Sequence, residues 1–239
     1  MKLNCDLGEG LDATDARIIP LIDMANIACG GHAGDDSTMR RTITLCLQHH
    51  VAIGAHPSYP DKSNFGRRSL DIPLPSVRAS VTEQIHRLQQ HCNILGTHVS
   101  FIKPHGALYH DISRRPEIFS LMTEIILNNC PDLPLILFAS SQQAELQDLA
   151  AKAGIPVLFE GFADRTYNDN GNLVPRKFEN AVISDIAQIA AQALSIKQHH
   201  CVITASGKKI PVNADTICVH SDTPHAESAI LKIKNLFNH

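Results

Sequence analysis

Short apolar runs alternate along the chain with longer stretches in which apolar residues recur every three or four positions. Runs of the first kind predict buried β-strands, and stretches of the second kind predict amphipathic helices. The predicted strands are residues 2–6, 24–28, 51–55, 99–102, 135–138, 157–159 and 217–219. Residues 201–204 and 209–212 are predicted to form a separate small hairpin across the turn between them.

Helix signals fill the intervals between these strands. Predicted helices cover 36–49, 142–153 and 183–194, and others begin near Ser76, Pro116 and Thr223, which are common residue types at helix starts. Repeated strand–helix units imply a parallel sheet covered by helices. Seven such units favour an α/β fold, a closed or nearly closed (β/α) barrel, with residues 1–239 forming one catalytic domain.

The composition is that of a globular protein with a sizeable core. Of the 239 residues, 44% are hydrophobic and 19% are charged, and the net charge of −3 offers no basic surface for nucleic acid or membranes. No apolar run approaches the roughly 20 residues of a membrane span, and Asp6 comes too early for a signal peptide. The seven cysteines form no C-x-x-C pair, which indicates free thiols in a reducing compartment. We therefore expect a cytoplasmic protein.

Polar side chains are concentrated where the predicted strands end. The groups that follow successive strands are Asp6 and Glu9, His32 and Asp35, His56 and Asp61, Lys103 and His105, Ser140 and Ser141, then Glu160, Asp164 and Arg165, and finally His220 and Asp222. In a (β/α) barrel the loops after the strands gather on one face, and active sites lie there. The sequence therefore predicts one shared, charged pocket at that face.

Two loops add detail to this predicted pocket. The loop 26–35 contains three glycines, which allow a ligand to approach the backbone closely. Asp35 has a second interpretation there, because it stands just before a predicted helix and can cap it. The long loop 58–74 carries Arg67 and Arg68, whose guanidinium groups are suited to holding a carboxylate or a phosphate.

The chemistry of the predicted pocket has two interpretations. Asp6, His32, His56 and His105 are candidate metal ligands, because three such groups and an open position suit a hydrolytic zinc ion. They lack the H-E-x-x-H spacing, so the sequence does not separate metal ligands from proton carriers. Lys103 suits binding of an anion or stabilisation of an oxyanion. A phosphate-binding G-x-x-x-x-G-K-[ST], a G-x-S-x-G nucleophile elbow and a G-x-G-x-x-G after the first strand are all absent.

Several longer motifs resemble one protein family. They are Asn4-Cys5-Asp6-Leu7-Gly8-Glu9, residues 25–35, Gly54-Ala55-His56-Pro57, Phe65-Gly66-Arg67-Arg68, residues 103–109, Phe162-Ala163-Asp164-Arg165 and residues 215–222. Together they span the chain in order, and they resemble the LamB/YcsF family. Gly31 stands where that family often has Phe, and Ser58 and Ser221 stand where it has Gly. None of these departures removes an ionisable group, and Gly31 is expected to widen the pocket wall.

The resemblance implies a barrel of the glycoside hydrolase/deacetylase type and a multi-subunit enzyme. The implied activity opens the lactam 5-oxoproline to L-glutamate with ATP hydrolysis, alongside 5-oxoprolinase subunits B and C, with ATP bound by this chain, by its partners or between them. The residues expected to act in catalysis are Asp6, Glu9, His32, Asp35, Lys103 and His105. Those expected to contact the substrate are His56, Asp61, Arg67, Arg68, Tyr109, Asp164, Arg165, His220 and Asp222.

Two other functions fit the same residues. A metal-dependent deacetylase or amidohydrolase acting alone would use the candidate zinc ligands. A protein that binds 5-oxoproline without chemistry of its own would present the same charged pocket to that molecule. Metal content, activity of the isolated chain and binding of 5-oxoproline separate these alternatives.

Overall fold

Seven parallel strands close into a barrel in the computed structural model, which describes residues 1–237. The strands in chain order are β1 (Lys2–Leu7), β2 (Met24–Ala28), β3 (Ala52–His56), β4 (Phe101–Ile102), β5 (Leu135–Phe138), β6 (Val157–Phe162), β7 (Cys201–Ile203), β8 (Lys209–Pro211) and β9 (Thr216–Cys218). The barrel runs β1-β2-β3-β4-β5-β6-β9 and closes where β9 pairs with β1, while β7 and β8 form the predicted hairpin. The predicted α/β barrel is confirmed, and it closes fully. Residues 238–239 of the predicted domain lie outside the described residues.

Eight α-helices are found in residues 1–237. They are α1 (Asp12–Ile18), α2 (Asp36–Gln48), α3 (Leu74–Ile94), α4 (Gly106–Arg114), α5 (Pro116–Asn129), α6 (Gln143–Ala153), α7 (Ile186–His199) and α8 (Ala226–Phe237). Their apolar faces form the main core; in α2, for example, Met39, Ile43 and Cys46 are buried. None of the helices in this range combines the length and the apolar character that crossing a membrane would require.

Several element boundaries differ from the prediction. Helix α3 begins at Leu74, without a side-chain cap, and α8 begins at Ala226. Thr223, predicted to cap α8, instead donates its hydroxyl to the Asp164 carboxylate at 2.5 Å. Strand β6 continues to Phe162, so Glu160 lies inside the barrel wall and not in the loop that follows it. The apolar periodicity does not predict α1 or α4, because α1 has seven residues and α4 starts directly after a strand-end motif.

An apolar floor closes the inside of the barrel. Met24, Phe101 and Ile136 form a cluster separate from the main core. Gly54 leaves room for this floor, since a Cβ at that position would lie 2.0 Å from the Phe101 ring. Because side chains alternate between the two faces of a strand, residues two positions further along point into the barrel above the floor. They include Asn26, His56 and Lys103.

Candidate active site

A cavity of about 310 Å³ opens at the carboxyl-terminal end of the barrel. The predicted site residues that line it are Asp6, Glu9, His56, Arg67, Lys103, His105, Tyr109, Arg165, His220 and Asp222. Phe138, Phe162 and residues 172–176 complete much of the remaining wall. Side chains from several strand ends and loops therefore meet around one space, as a shared pocket requires.

Lys103 lies buried at the centre of a polar cluster inside the barrel. Its Nζ is 2.8 Å from Asp6 Oδ1 and 3.1 Å from Glu160 Oε2, while Asn4 Oδ1 and Cys218 Sγ are each 3.3 Å away. Burial disfavours the charged ammonium, but the two carboxylates outweigh burial and raise the pKa of Lys103 well above its ordinary value. An ammonium has three N–H donors, and acceptors within the protein take all of them. Lys103 is therefore a permanent cation that holds this cluster together.

The two carboxylate oxygens of Asp6 have different surroundings, and Oδ2 is the one near the cavity histidines. Its Oδ1 accepts from Lys103 and, at 2.7 Å, from the side-chain amide of Asn26. Its Oδ2 lies 3.5 Å from His56 Nε2 and 4.0 Å from His220 Nε2. Burial alone would raise the pKa of Asp6, but Lys103 and His56 hold this pKa well below its ordinary value. Asp6 therefore stays ionised, so it orients neighbouring groups and is a weak proton acceptor.

Beside this pair lies a compact histidine group made of Glu9, His32, His56 and His105. His56 Nδ1 faces the Lys103 carbonyl oxygen at 2.6 Å, and His105 Nε2 faces the Phe65 carbonyl oxygen at 3.0 Å. Because a carbonyl can only accept, both of these ring nitrogens carry a hydrogen and donate it. The other two ring nitrogens, His56 Nε2 and His105 Nδ1, face each other at 2.9 Å.

The third histidine of the group lies behind the cavity wall. His32 Nε2 is 2.7 Å from Glu9 Oε1, and its ring stacks on the His105 ring with centroids 3.6 Å apart. Burial lowers the pKa of His32, and burial together with the nearby His32 lowers the pKa of His105 well below its ordinary value. Burial acts in the same direction on His56, but the Asp6 carboxylate outweighs it and raises the pKa of His56. Within the group, His56 is therefore the histidine that most readily carries positive charge.

Asp164 and His220 form a second hydrogen-bonded pair at the cavity. Both the Nδ1 and the backbone N–H of His220 donate to Asp164 Oδ2 at 2.9 Å. Burial alone would raise the pKa of Asp164, but the His220 contacts lower it to about 2. The His220 ring stacks on Phe162, with centroids 5.4 Å apart. With Nδ1 occupied, Nε2 is the nitrogen through which His220 can exchange a proton with a bound molecule.

Arginines surround the mouth of the cavity. Arg67 and Arg176 both contact Asp222, at 3.3 Å and 3.2 Å. Arg165 is buried and donates to two backbone carbonyls of the loop that follows it, at 2.7 Å and 3.1 Å. Arg114 also lines the mouth. Two of these four guanidinium groups contact Asp222, and the excess of positive charge at the mouth favours an anionic ligand.

Three of the predicted site residues lie away from the cavity. Asp35 is exposed, and its side chain accepts from the backbone N–H of Thr38 at 2.8 Å as the N-cap of α2. This geometry favours the capping interpretation over a catalytic one. Asp61 accepts hydrogen bonds from two side chains of its own loop, and Arg68 points to solvent. We therefore omit Asp35, Asp61 and Arg68 from the candidate site.

Sequence reasoning missed the amides and the thiol at the centre of the polar cluster. Asn26 donates to Asn4 Oδ1 at 2.8 Å, and Asn4 donates to Glu160 Oε2 at 3.2 Å. Cys218 completes the surroundings of Lys103. The signal available in the sequence is the spacing of two: Asn4 precedes Asp6 by two residues and therefore points to the same side of β1.

The expected widening of the pocket wall at Gly31 is wrong. A Cβ at Gly31 would lie 2.4 Å from Gln84 Oε1 and 2.5 Å from Ser58 Oγ. Gln84 is fixed in place because it accepts from the Ser58 N–H at 2.9 Å and donates to the Ser58 carbonyl at 2.8 Å. The space beside Gly31 is therefore filled by these two side chains and does not open into the cavity.

Comparisons with known proteins agree with the motif resemblance. The family described as LamB/YcsF matches residues 1–239. The chain is 44% identical over 238 residues to the 5-oxoprolinase A subunit of Vibrio cholerae serotype O1, covering 98% of this chain and 96% of that protein. It is 42% identical over 236 residues to one of the 5-oxoprolinase A subunits of Pseudomonas aeruginosa, covering 97% and 94%.

A solved structure gives the same result at the level of the fold. The lactam utilization protein from Thermus thermophilus superimposes with a TM-score of 0.89 at 33% sequence identity. The superposition covers 100% of this chain and 97% of that protein. On the family match and these identities over nearly the full length, the chain belongs to the LamB/YcsF family.

Proposed function

We propose that this chain is the A subunit of an ATP-dependent 5-oxoprolinase and that its barrel cavity is where the lactam of 5-oxoproline opens to L-glutamate. The observation that carries the proposal is a cavity in which Asp6 and His220 face one space beneath an arginine-rich mouth, with Asp164 bonded to His220. The relatives named as A subunits of 5-oxoprolinase and the lactam utilization protein support the choice of substrate.

The chemistry explains why ATP is needed. A five-membered lactam is an unactivated amide whose ring closure is favourable, so its hydrolysis must be coupled to a second reaction. Transfer of the γ-phosphoryl group of ATP to the lactam oxygen releases ADP and makes the ring carbon electrophilic. Addition of one water molecule to that carbon and cleavage of the C–N bond, with a proton to nitrogen, give γ-glutamyl phosphate. A second water molecule then hydrolyses this acyl phosphate to glutamate and phosphate. The sequence has no phosphate-binding loop, so we assign the phosphoryl transfer to partner subunits B and C or to a site shared with them.

The proton transfers fall to His220. Asp6 Oδ2 and His220 Nε2 are 4.0 Å apart, a separation that a bridging water molecule can span. His220 takes a proton from this water, Asp164 stabilises the resulting imidazolium, and His220 then delivers the proton to the leaving ring nitrogen. Asp6 stays ionised and orients the water.

The cations around the cavity bind and polarise the substrate. Arg67 and Arg176 at the mouth are placed to hold the substrate carboxylate or the transferred phosphoryl group. Lys103 donates to protein acceptors, so it contributes positive potential and does not contact the substrate directly. Tyr109 and Phe162 supply flat apolar surface for the ring of the substrate.

The state of the cysteines supports a proposed cellular location. All seven, which fall within residues 1–237, are free and buried. Free thiols are typical of a reducing compartment, and we therefore place the enzyme in the cytoplasm.

Reconstitution tests the proposal. The purified chain is combined with subunits B and C, ATP and 5-oxoproline, and glutamate and ADP are measured with each component omitted in turn. Glutamate is expected only from the complete mixture. Glutamate formation at the full rate by B and C alone would overturn the proposal, as would ATP-independent formation by this chain alone.

A further inference from the structure

Three atoms of the histidine group surround one point. His56 Nε2 and His105 Nδ1 are 2.9 Å apart, and Glu9 Oε1 lies 3.4 Å from His105 Nδ1 and 3.8 Å from His56 Nε2. A point equally distant from all three atoms lies about 2.0 Å from each, which is the length of a bond from zinc to nitrogen or oxygen. The side chains are thus spaced as metal ligands are spaced around an ion.

In their neutral forms, His56 and His105 each present a ring-nitrogen lone pair toward that point. His56 and His105 use their other nitrogens to donate to the carbonyl oxygens of Lys103 and Phe65. Metal-binding histidines are held in this way, with the second N–H bonded to a carbonyl or carboxylate. His32 holds Glu9 in turn through the 2.7 Å contact between its Nε2 and Glu9 Oε1. Each of the three donors therefore has a partner that fixes its direction.

The remaining side of this point faces the cavity. Glu9, His56 and His105 line the cavity, and His32 does not. Two histidines, one carboxylate and an open position form a donor set that catalytic zinc sites use. An ion held there would be within reach of a molecule in the cavity.

A neighbouring set of possible ligands does not have these properties. Asp6, Cys218 and His220 also lie close together. The Lys103 ammonium, however, lies 2.8 Å from Asp6 Oδ1 and 3.3 Å from Cys218 Sγ, so a cation already contacts two of these three groups. Burial raises the pKa of Cys218 well above its ordinary value, which keeps the sulfur protonated.

We propose that Glu9, His56 and His105 bind one divalent transition-metal ion of the zinc type, with His32 orienting Glu9 and an open coordination position facing the cavity. The sequence pointed to Asp6, His32, His56 and His105 as ligands; the geometry replaces Asp6 with Glu9 and moves His32 to a supporting position. Such an ion would act as a Lewis acid toward an oxygen of the bound substrate. Metal binding stands independently of the proposed function, whereas this catalytic role rests on it.

Cobalt titration of the full-length chain tests the site. The protein is freed of metal with a chelator and titrated with CoCl₂, with calorimetry for affinity and visible absorption for coordination by nitrogen ligands. One Co²⁺ ion per chain is expected, and ZnCl₂ is expected to displace it. His56→Gln, His105→Gln and Glu9→Gln should each weaken binding at least about 100-fold, and His32→Gln about 10- to 100-fold.

A cavity histidine outside the group is the matched control. His110→Gln, which changes another histidine lining the cavity, should leave the Co²⁺ affinity within about twofold of the unmodified chain. Circular dichroism of every variant confirms that it is folded before titration. Absence of stoichiometric binding, or binding that His56→Gln and His105→Gln leave unchanged, would overturn the proposal.

Glutamate release, measured on the same preparations, keeps the two proposals separate. Stoichiometric metal binding by a chain that gives no glutamate with B and C supports the metal site and rejects the proposed function. Full glutamate release by a chain that binds no Co²⁺ or Zn²⁺ supports the proposed function and rejects the metal site.

Discussion

Lys103 Nζ lies 2.8 Å from Asp6 Oδ1 inside the barrel, and the two side chains are 3% and 7% exposed. Removal of one member of a buried ion pair is strongly destabilising, because each charge depends on the other for its burial. Glu160, which is fully buried, adds a second negative charge that depends on the same ammonium, at 3.1 Å. Substitutions here are therefore expected to change the free energy of unfolding as well as activity.

Replacement of Lys103 by a neutral side chain should destabilise the fold. Lys103→Met leaves Asp6 and Glu160 without a counterion and should lower the free energy of unfolding by about 3–5 kcal/mol, measured by urea denaturation at neutral pH. Adding Asp6→Asn should recover part of the loss, because only one stranded carboxylate then remains. Unchanged stability of Lys103→Met would contradict the central position given to this ion pair.

Two adjacent arginines should behave differently. Arg67 lines the mouth of the cavity and Arg68 does not, although both follow Phe65-Gly66. Arg67→Ala removes a charged partner of the substrate and should raise the KM for 5-oxoproline at least about 10-fold in the reconstituted enzyme. Arg68→Ala is the matched control and should change KM by less than about twofold. Equal effects of the two substitutions would show that the mouth is not the binding route.

The Asp164–His220 pair should control kcat. Asp164→Asn keeps the shape of the side chain but removes the charge that stabilises a protonated His220, so kcat should fall by about 10²- to 10⁴-fold. Asp132→Asn, at an exposed surface position, serves as the control and should leave kcat unchanged. If Asp164→Asn retains the kcat of the unmodified chain, His220 is not the proton carrier.

Stability should depend on pH through Asp15. Burial raises the pKa of Asp15 to about 6, and its carboxylate accepts from the Gly8 N–H at 2.8 Å in the turn that carries Glu9. A carboxyl group whose pKa is higher in the folded state binds more protons when folded. The stability it contributes is present below about pH 4 and is lost as the pH rises to about 6.

Asp15→Asn removes this titration. The free energy of unfolding of the variant, relative to the unmodified chain, should therefore increase between about pH 4 and pH 7. Urea denaturation of both proteins across this interval provides the measurement. A difference that stays constant with pH would contradict the raised pKa.

The strand order and the location of the site could be predicted because both depend on short-range patterns. Buried strands of a parallel barrel are continuous apolar runs, and the change to polar residues marks their carboxyl-terminal ends. Asp6, His56 and Lys103 could be located in this way. The loop residues Asp61 and Arg68 could not be excluded, because the direction of a loop side chain depends on contacts that no local pattern encodes.

The polar cluster and the helix starts depend on tertiary contacts. Asn4 and Asn26 occur within apolar strands, where only the alternation of side chains indicates that they face Asp6. Thr223 is a residue type that is common at N-caps, but its hydroxyl donates to Asp164, a residue 59 positions earlier. Similarly, the side chains that fill the space beside Gly31 come from Ser58 and Gln84 on other elements. Contacts between residues so far apart in the sequence are known only from the folded structure.

The most direct test of the account is the rate of glutamate formation by the three-subunit enzyme rebuilt with a His220→Gln chain. Co-elution with subunits B and C first establishes that this chain assembles, and an exposed-site variant, His98→Gln, is the control. Because the lactam is proposed to open in the cavity of this chain, the rate of glutamate formation should be at least about 100-fold lower with His220→Gln. The rate with His98→Gln should be unchanged. Glutamate formation by the His220→Gln enzyme at the rate of the unmodified enzyme would contradict the account.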